Sequence, residues 1–227
     1  MANRQARRAA GDGGVWQAYR RNRYAILFFS LLLLLIALPA ASAFGLPSLI
    51  NKILIAACLM AAVMPNATKR TRVVLLGGMF LLIALRFAAE PDATPINFGP
   101  ILTLYGLTGL LAAGVTLRFV VQSPRVDSET LYAALSTYLL AGLFFGVIYS
   151  AVEFMAPGSF SGPTPFDQGA AIYYSFVTLA TLGYGDFLPR TEFARGIATF
   201  EVIGGQLYLA VMVARLIGAF GVSERPS

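Results

Sequence analysis

Apolar and polar positions along the chain fall into long blocks rather than into an alternating or amphipathic pattern. A membrane-crossing helix needs roughly 20 mostly apolar residues. Six stretches meet that length to within a few positions: 24–43, 47–64, 73–89, 98–121, 130–152 and 196–219. A seventh apolar stretch, 167–180, is too short to span. It reads as a re-entrant helix, with Pro165 marking the turn into it and Asp167 placed to cap its start. The first block has a second outline. Residues 25–38 followed by Ala41-Ser42-Ala43 resemble a signal peptide and its cleavage site. The length of the apolar run and of the segment before it favours a retained span.

Basic residues sort by the gaps between blocks. Arg4, Arg7, Arg8, Arg20, Arg21 and Arg23 precede the first block. Lys69, Arg70 and Arg72 lie between the second and third, Arg118 at the end of the fourth and Arg125 between the fourth and fifth. The intervening gaps are poorer in base and hold Glu90, Asp92, Glu153 and Asp167. The positive-inside rule then puts both termini in the cytoplasm of a multi-pass protein of the cell inner (plasma) membrane. Asn66-Ala67-Thr68 matches a glycosylation acceptor, but it falls in a loop assigned to the cytoplasm.

Composition narrows the function. Hydrophobic residues make up 57% of the chain and charged ones 12%, about half the charged share of a soluble domain. There is no histidine and one cysteine, Cys58. That excludes imidazole catalysis, an intrachain disulfide, and zinc or iron–sulfur sites built from several thiolates. No nucleotide motif or catalytic constellation is present, so no enzyme activity, cofactor, small-molecule substrate or nucleic-acid partner is expected. The net charge of +6 is accounted for by the arginines flanking the apolar blocks.

Residues 166–189 read FDQGAAIYYSFVTLATLGYGDFLP. This segment resembles the pore loop of potassium channels, whose filter reads Thr-Val/Ile-Gly-Tyr-Gly. The matching residues are Thr181, Leu182, Gly183, Tyr184 and Gly185, followed by Asp186. Leu182 departs mildly from valine or isoleucine, but its carbonyl is equally available. A filter of this kind replaces the water around potassium with rings of backbone carbonyls. All carbonyls must then face one axis, which needs alternating unusual dihedrals that glycine reaches at low cost. The resemblance implies K+ sites at Thr181, Leu182, Gly183 and Tyr184, with the Thr181 hydroxyl adding the innermost ring. It also implies that the Tyr184 ring braces the filter. A sodium-permeable relative typically carries an acidic residue where Tyr184 stands. A potassium transporter would hold four such repeats in one chain, and a non-conducting modulatory subunit is the other alternative.

The resemblance covers about 130–219 and extends to the last block, which by analogy is the inner helix of the pore. Gly205 follows Gly185 by 20 residues, the position of the gating hinge in simple bacterial pores, so Gly204 and Gly205 are the hinge candidates. Close helix packing is the other use of such small residues. The same alignment turns Gln206, Leu209 and Val213 to the ion cavity and puts Arg215 at the cytoplasmic end. Asp186, Glu201, Thr178 and Tyr174 are candidates for filter support. Glu201 is the acidic residue well inside a span, where a carboxylate is costly. Its candidate donors are Tyr173, Tyr174 and Thr178. Many potassium pores carry an acidic residue on the re-entrant helix, where this chain has Val177.

The first four blocks resemble a voltage sensor only in number. Each charge crossing the field contributes roughly 2.3 kcal/mol per 100 mV, and a sensor needs several. Residues 98–121 hold Arg118 alone, at the cytoplasmic end, while Lys52 and Arg86 fall near span ends. The expectation is an all-α integral membrane protein of six transmembrane helices plus one re-entrant helix, in three parts. Residues 1–23 form a basic cytoplasmic segment, 24–125 a four-helix membrane domain with its sensor charges missing, and 126–227 the pore domain. Four filter strands close one pore, so the partners are three further copies in a homotetramer and the lipid bilayer. The function implied is passive, potassium-selective conduction without strong voltage gating.

Overall fold

A computed structural model describes residues 22–44, 95–123 and 126–223. The expected spans 47–64 and 73–89, the basic segment up to residue 21, and Cys58, Lys52, Arg86 and Arg125 lie outside the described residues. The described part is mostly helical. It contains α1 (Arg23–Ala43), α2 (Pro95–Gln122), α3 (Ser128–Met155), β1 (Phe160–Ser161), α4 (Gln168–Leu179), β2 (Leu188–Pro189) and α5 (Glu192–Ser223). Among the described residues, α1, α2, α3 and α5 are long and apolar enough to cross a membrane. The 12-residue α4 is not.

α3 is the hub. It packs on α2 and α1 on one side and on α4 and α5 on the other. Its start is capped by Asp127, whose carboxylate accepts from the Thr130 amide at 2.8 Å and the Thr130 hydroxyl at 2.7 Å. That satisfies one of the orphan amides at a helix start. Lipid tails are as apolar as leucine, so helices in a bilayer associate through close packing at small residues. The α2–α3 seam follows this rule. A Cβ on Gly109 would stand 2.1 Å from the Phe144 ring, and one on Gly106 would stand 2.7 Å from Ile148 Cγ1. The α3–α4 seam uses Gly142 and Gly146, one helical turn apart. Phe176 seats on Gly142, and the Ile172 main chain lies 2.6 Å from where a Gly146 Cβ would be.

Arg215, expected at the cytoplasmic end of its span, points into the protein. Its guanidinium donates to the carbonyls of Val120 and Ser123 at the end of α2. The Val120 carbonyl otherwise accepts only a long bond, 3.3 Å, from the Ser123 amide, and a cation suits the negative end of the helix dipole. Arg215 thereby ties α5 to α2. Most of the span-length part of α5 remains exposed, including Phe193, Phe200, Leu207 and Ile217.

Candidate functional site

The site is the segment from α4 to the start of α5. α4 starts where Asp167 Oδ1 accepts from the Ala170 amide at 2.8 Å, the cap expected from its position. α4 ends in a Schellman motif: the Leu182 amide donates to the Val177 carbonyl at 2.9 Å and the Thr181 amide to the Thr178 carbonyl at 3.0 Å. The motif needs a left-handed residue after the helix end, usually glycine. Here it is Thr181, with φ +56°, the one described non-glycine residue in that region. A β-branched residue is rarely found there, and the two cap hydrogen bonds hold it in place.

From Thr181 the backbone alternates. Thr181, Gly183 and Gly185 have φ of +56°, +61° and +77°, while Leu182 and Tyr184 between them stay negative. Every second residue is therefore left-handed. Leu182 and Tyr184 are 54% and 65% exposed, so this strand borrows little packing from the rest of the chain.

The strand is anchored at both ends. Before it, Glu153 at the end of α3 accepts from the amides of Gly158 at 2.8 Å and Phe160 at 2.9 Å. Phe160 and Ser161 pair antiparallel with Pro189 and Leu188 beyond the strand, and the Arg190 amide donates to the Ser159 carbonyl at 2.7 Å. Phe160, Phe166, Tyr149, Tyr174 and Phe187 pack ring on ring around this junction, with Phe160 and Phe166 stacked at 4.2 Å. Asp186 accepts from the Tyr173 hydroxyl, and Tyr174 is hydrogen-bonded to Thr178.

Glu201 is 1% exposed and faces protein, but its partners are not Tyr173, Tyr174 or Thr178. They are Tyr149 of α3 and Ser175 of α4, each at 2.5 Å. The reason is helical phase. Ser175 lies about 100° further round α4 than Tyr174, on the side that meets both α3 and α5. Tyr149, 52 residues from Glu201 in sequence, was legible only as a polar residue inside an apolar block.

The remaining candidates divide. A Cβ on Gly205 would meet Leu179 of α4, whereas Gly204 has nothing within 4 Å. Gln206 is exposed. Leu209 and Val213 border an apolar cleft of about 420 Å³, whose other wall includes Leu131, Leu135 and Tyr138 of α3.

Residues 134–221, from within α3 to near the end of α5, match the family model described as ion channel. Several curated potassium channels are similar over parts of the chain, three of which illustrate the range. An inward rectifier potassium channel of Paramagnetospirillum magnetotacticum is 32% identical over 37% of this chain and 27% of its own length. The potassium voltage-gated channel protein Shal of Drosophila melanogaster is 31% identical over 33% of this chain and 13% of its own. The two pore potassium channel c of Oryza sativa subsp. japonica is 34% identical over 35% and 17%. This chain thus spans about a quarter or less of the length of these relatives. No solved structure matches it. The matched segment, its apolar flanking helices and these relatives together point to a membrane protein that carries an ion channel segment over residues 134–221, similar there to potassium channels.

Proposed function

We propose that the chain is one subunit of a homotetrameric, potassium-selective channel that conducts K+ passively and is not strongly voltage-gated. On this reading six helices span the plasma membrane with both termini cytoplasmic. α4 is re-entrant, and residues 181–185 are the filter strand. Residues 24–125 form a peripheral scaffold and 126–227 the pore. The permeant ion is K+, no resident cofactor takes part, and no bond is made or broken.

The observation that carries the reading is the alternation of φ at Thr181, Gly183 and Gly185. In an ordinary extended strand successive carbonyls point to opposite sides. When every second residue is left-handed they turn to the same side, which is what a column of carbonyl sites needs. Non-helical backbone at membrane depth is tolerated only within protein or along a water-filled cavity. The exposed Leu182, Tyr184 and α5 face therefore call for cover by further copies of the chain, and a fourfold ring supplies it. The carbonyl end of α4, at Leu179 and Ala180, carries the partial negative charge that favours a cation beneath the filter.

Rubidium uptake into liposomes containing the purified protein tests this reading, with native mass spectrometry of the same sample. Uptake by a species of four copies is expected. No uptake, or uptake by a monomer or dimer, would contradict it.

A further inference from the structure

Three helices meet at the Glu201 carboxyl group. Tyr149 Oη of α3 lies 2.5 Å from Glu201 Oε2. Ser175 Oγ of α4 lies 2.5 Å from Glu201 Oε1 and 2.7 Å from the Gly142 carbonyl oxygen of α3. Each of these three oxygen–oxygen contacts is at hydrogen-bond length and needs one proton between its atoms. The Gly142 carbonyl brings none. A tyrosine and a serine hydroxyl bring one each. Ser175, with one proton, touches two acceptors, so the third proton belongs to Glu201. An ionised carboxylate would leave one pair of oxygens in contact with no proton between them. It would also place an uncompensated charge among Tyr149, Ser175 and the surrounding apolar side chains, a costly arrangement.

We infer that Glu201 is a neutral carboxylic acid. Glu201 Oε1–H donates to Ser175 Oγ, Ser175 Oγ–H donates to the Gly142 carbonyl, and Tyr149 Oη–H donates to Glu201 Oε2. This relay binds α4 to α3 and α5 at once. Ser175 lies four residues before Leu179, the end of the helix from which residues 181–185 emerge, so the relay holds the base of that strand. Glu201 is a positioning residue and touches no ion. The titratable groups around it are Tyr149 and Tyr138 from α3 and Tyr174 from α4. β2, also packed on α5, contributes none. Among the described residues the ion pair formed is Arg195–Glu192, and Glu201 has no part in it. Loss of that proton breaks the Glu201–Ser175–Gly142 chain and frees α4. The effect on conduction rests on the filter reading above, whereas the proton itself does not.

Infrared spectroscopy of the full chain in lipid separates the two. Wild type at neutral pH is expected to show the carbonyl stretch of a protonated carboxyl group, absent from Glu201→Gln. In Tyr149→Phe the band moves to higher frequency, because the carbonyl Oε2 loses its donor. No such band in wild type, or a band unmoved by Tyr149→Phe, would overturn the assignment even if Glu201→Gln does not assemble. In the rubidium assay, alkaline pH is expected to reduce sustained uptake by about tenfold in wild type, the scale of one lost buried hydrogen bond. Glu201→Gln, whose amide reproduces donor and acceptor without titrating, should not show that loss. The same alkaline loss in both proteins would overturn the coupling of the proton to the filter. If neither conducts at any pH, the channel reading fails while the infrared result still decides the proton.

Discussion

Gly205 of α5 lies directly against Leu179, the last residue of α4: a Cβ there would stand 2.7 Å from Leu179 Cδ1 and 3.1 Å from the Leu179 carbonyl oxygen. The leucine methyl can swing aside, but the carbonyl belongs to the turn that starts the 181–185 strand. A Cβ on Gly204 beside it would meet nothing within 4 Å. Two adjacent glycines that looked equivalent as a hinge therefore have different surroundings, and Gly205 is a packing residue.

Gly205→Ala is accordingly expected to destabilise the folded protein by about 1–3 kcal/mol, the usual cost of overpacking. Gly204→Ala should be neutral, or stabilising by about 0.5–1 kcal/mol through helix propensity. Thermal unfolding of both variants in one detergent checks this. Equal loss from the two would show that Leu179 is not the obstacle.

The cap at Asp127 gives a pH signature outside the spans. The Thr130 amide, and then the Thr130 hydroxyl, bond the ionised carboxylate and hold its pKa below the ordinary 3.8. A depressed folded-state value means the stabilisation is complete above the unfolded value and is lost as pH falls through the folded one, so the loss lies below about pH 4. Asp127→Asn keeps an acceptor at the cap and should flatten that acid-range decline. Asp127→Ala should cost roughly 0.5–2 kcal/mol at every pH. The check is the melting temperature of all three proteins from neutral to acid pH. An unchanged acid slope in Asp127→Asn would contradict the assignment.

Voltage should act weakly. α2 carries Arg118 near its end, exposed, where a sensor needs a ladder of arginines. Conductance measured against voltage is expected to change with an effective valence below about one elementary charge, worth under roughly 2.3 kcal/mol per 100 mV. A valence of several charges would contradict this.

The helices and the strand after α4 were legible in the sequence because each has a local cause. α1, α2, α3 and α5 follow from unbroken apolar length, and their ends fall within a few residues of those expected. The Asp167 cap follows from an acceptor placed just before a short apolar run. Gly183 and Gly185 mark left-handed positions by composition alone. Thr181 does not, because its positive φ comes from the Schellman bonds to Val177 and Thr178 rather than from its own preference. The partners of Glu201 and Arg215 were also hidden. Burial of Glu201 follows from the cost of a carboxylate in an apolar helix. Which hydroxyl meets it depends on how three helices are rotated about their axes, and glycines such as Gly142 and Gly146 set that rotation through contacts far away in sequence.

Potassium selection by residues 181–185 is tested most directly by a reversal potential. Purified protein is placed in a planar bilayer with potassium on one side and sodium on the other. The current is expected to reverse close to the potassium equilibrium potential. A reversal potential at which both ions are equally permeant would contradict it.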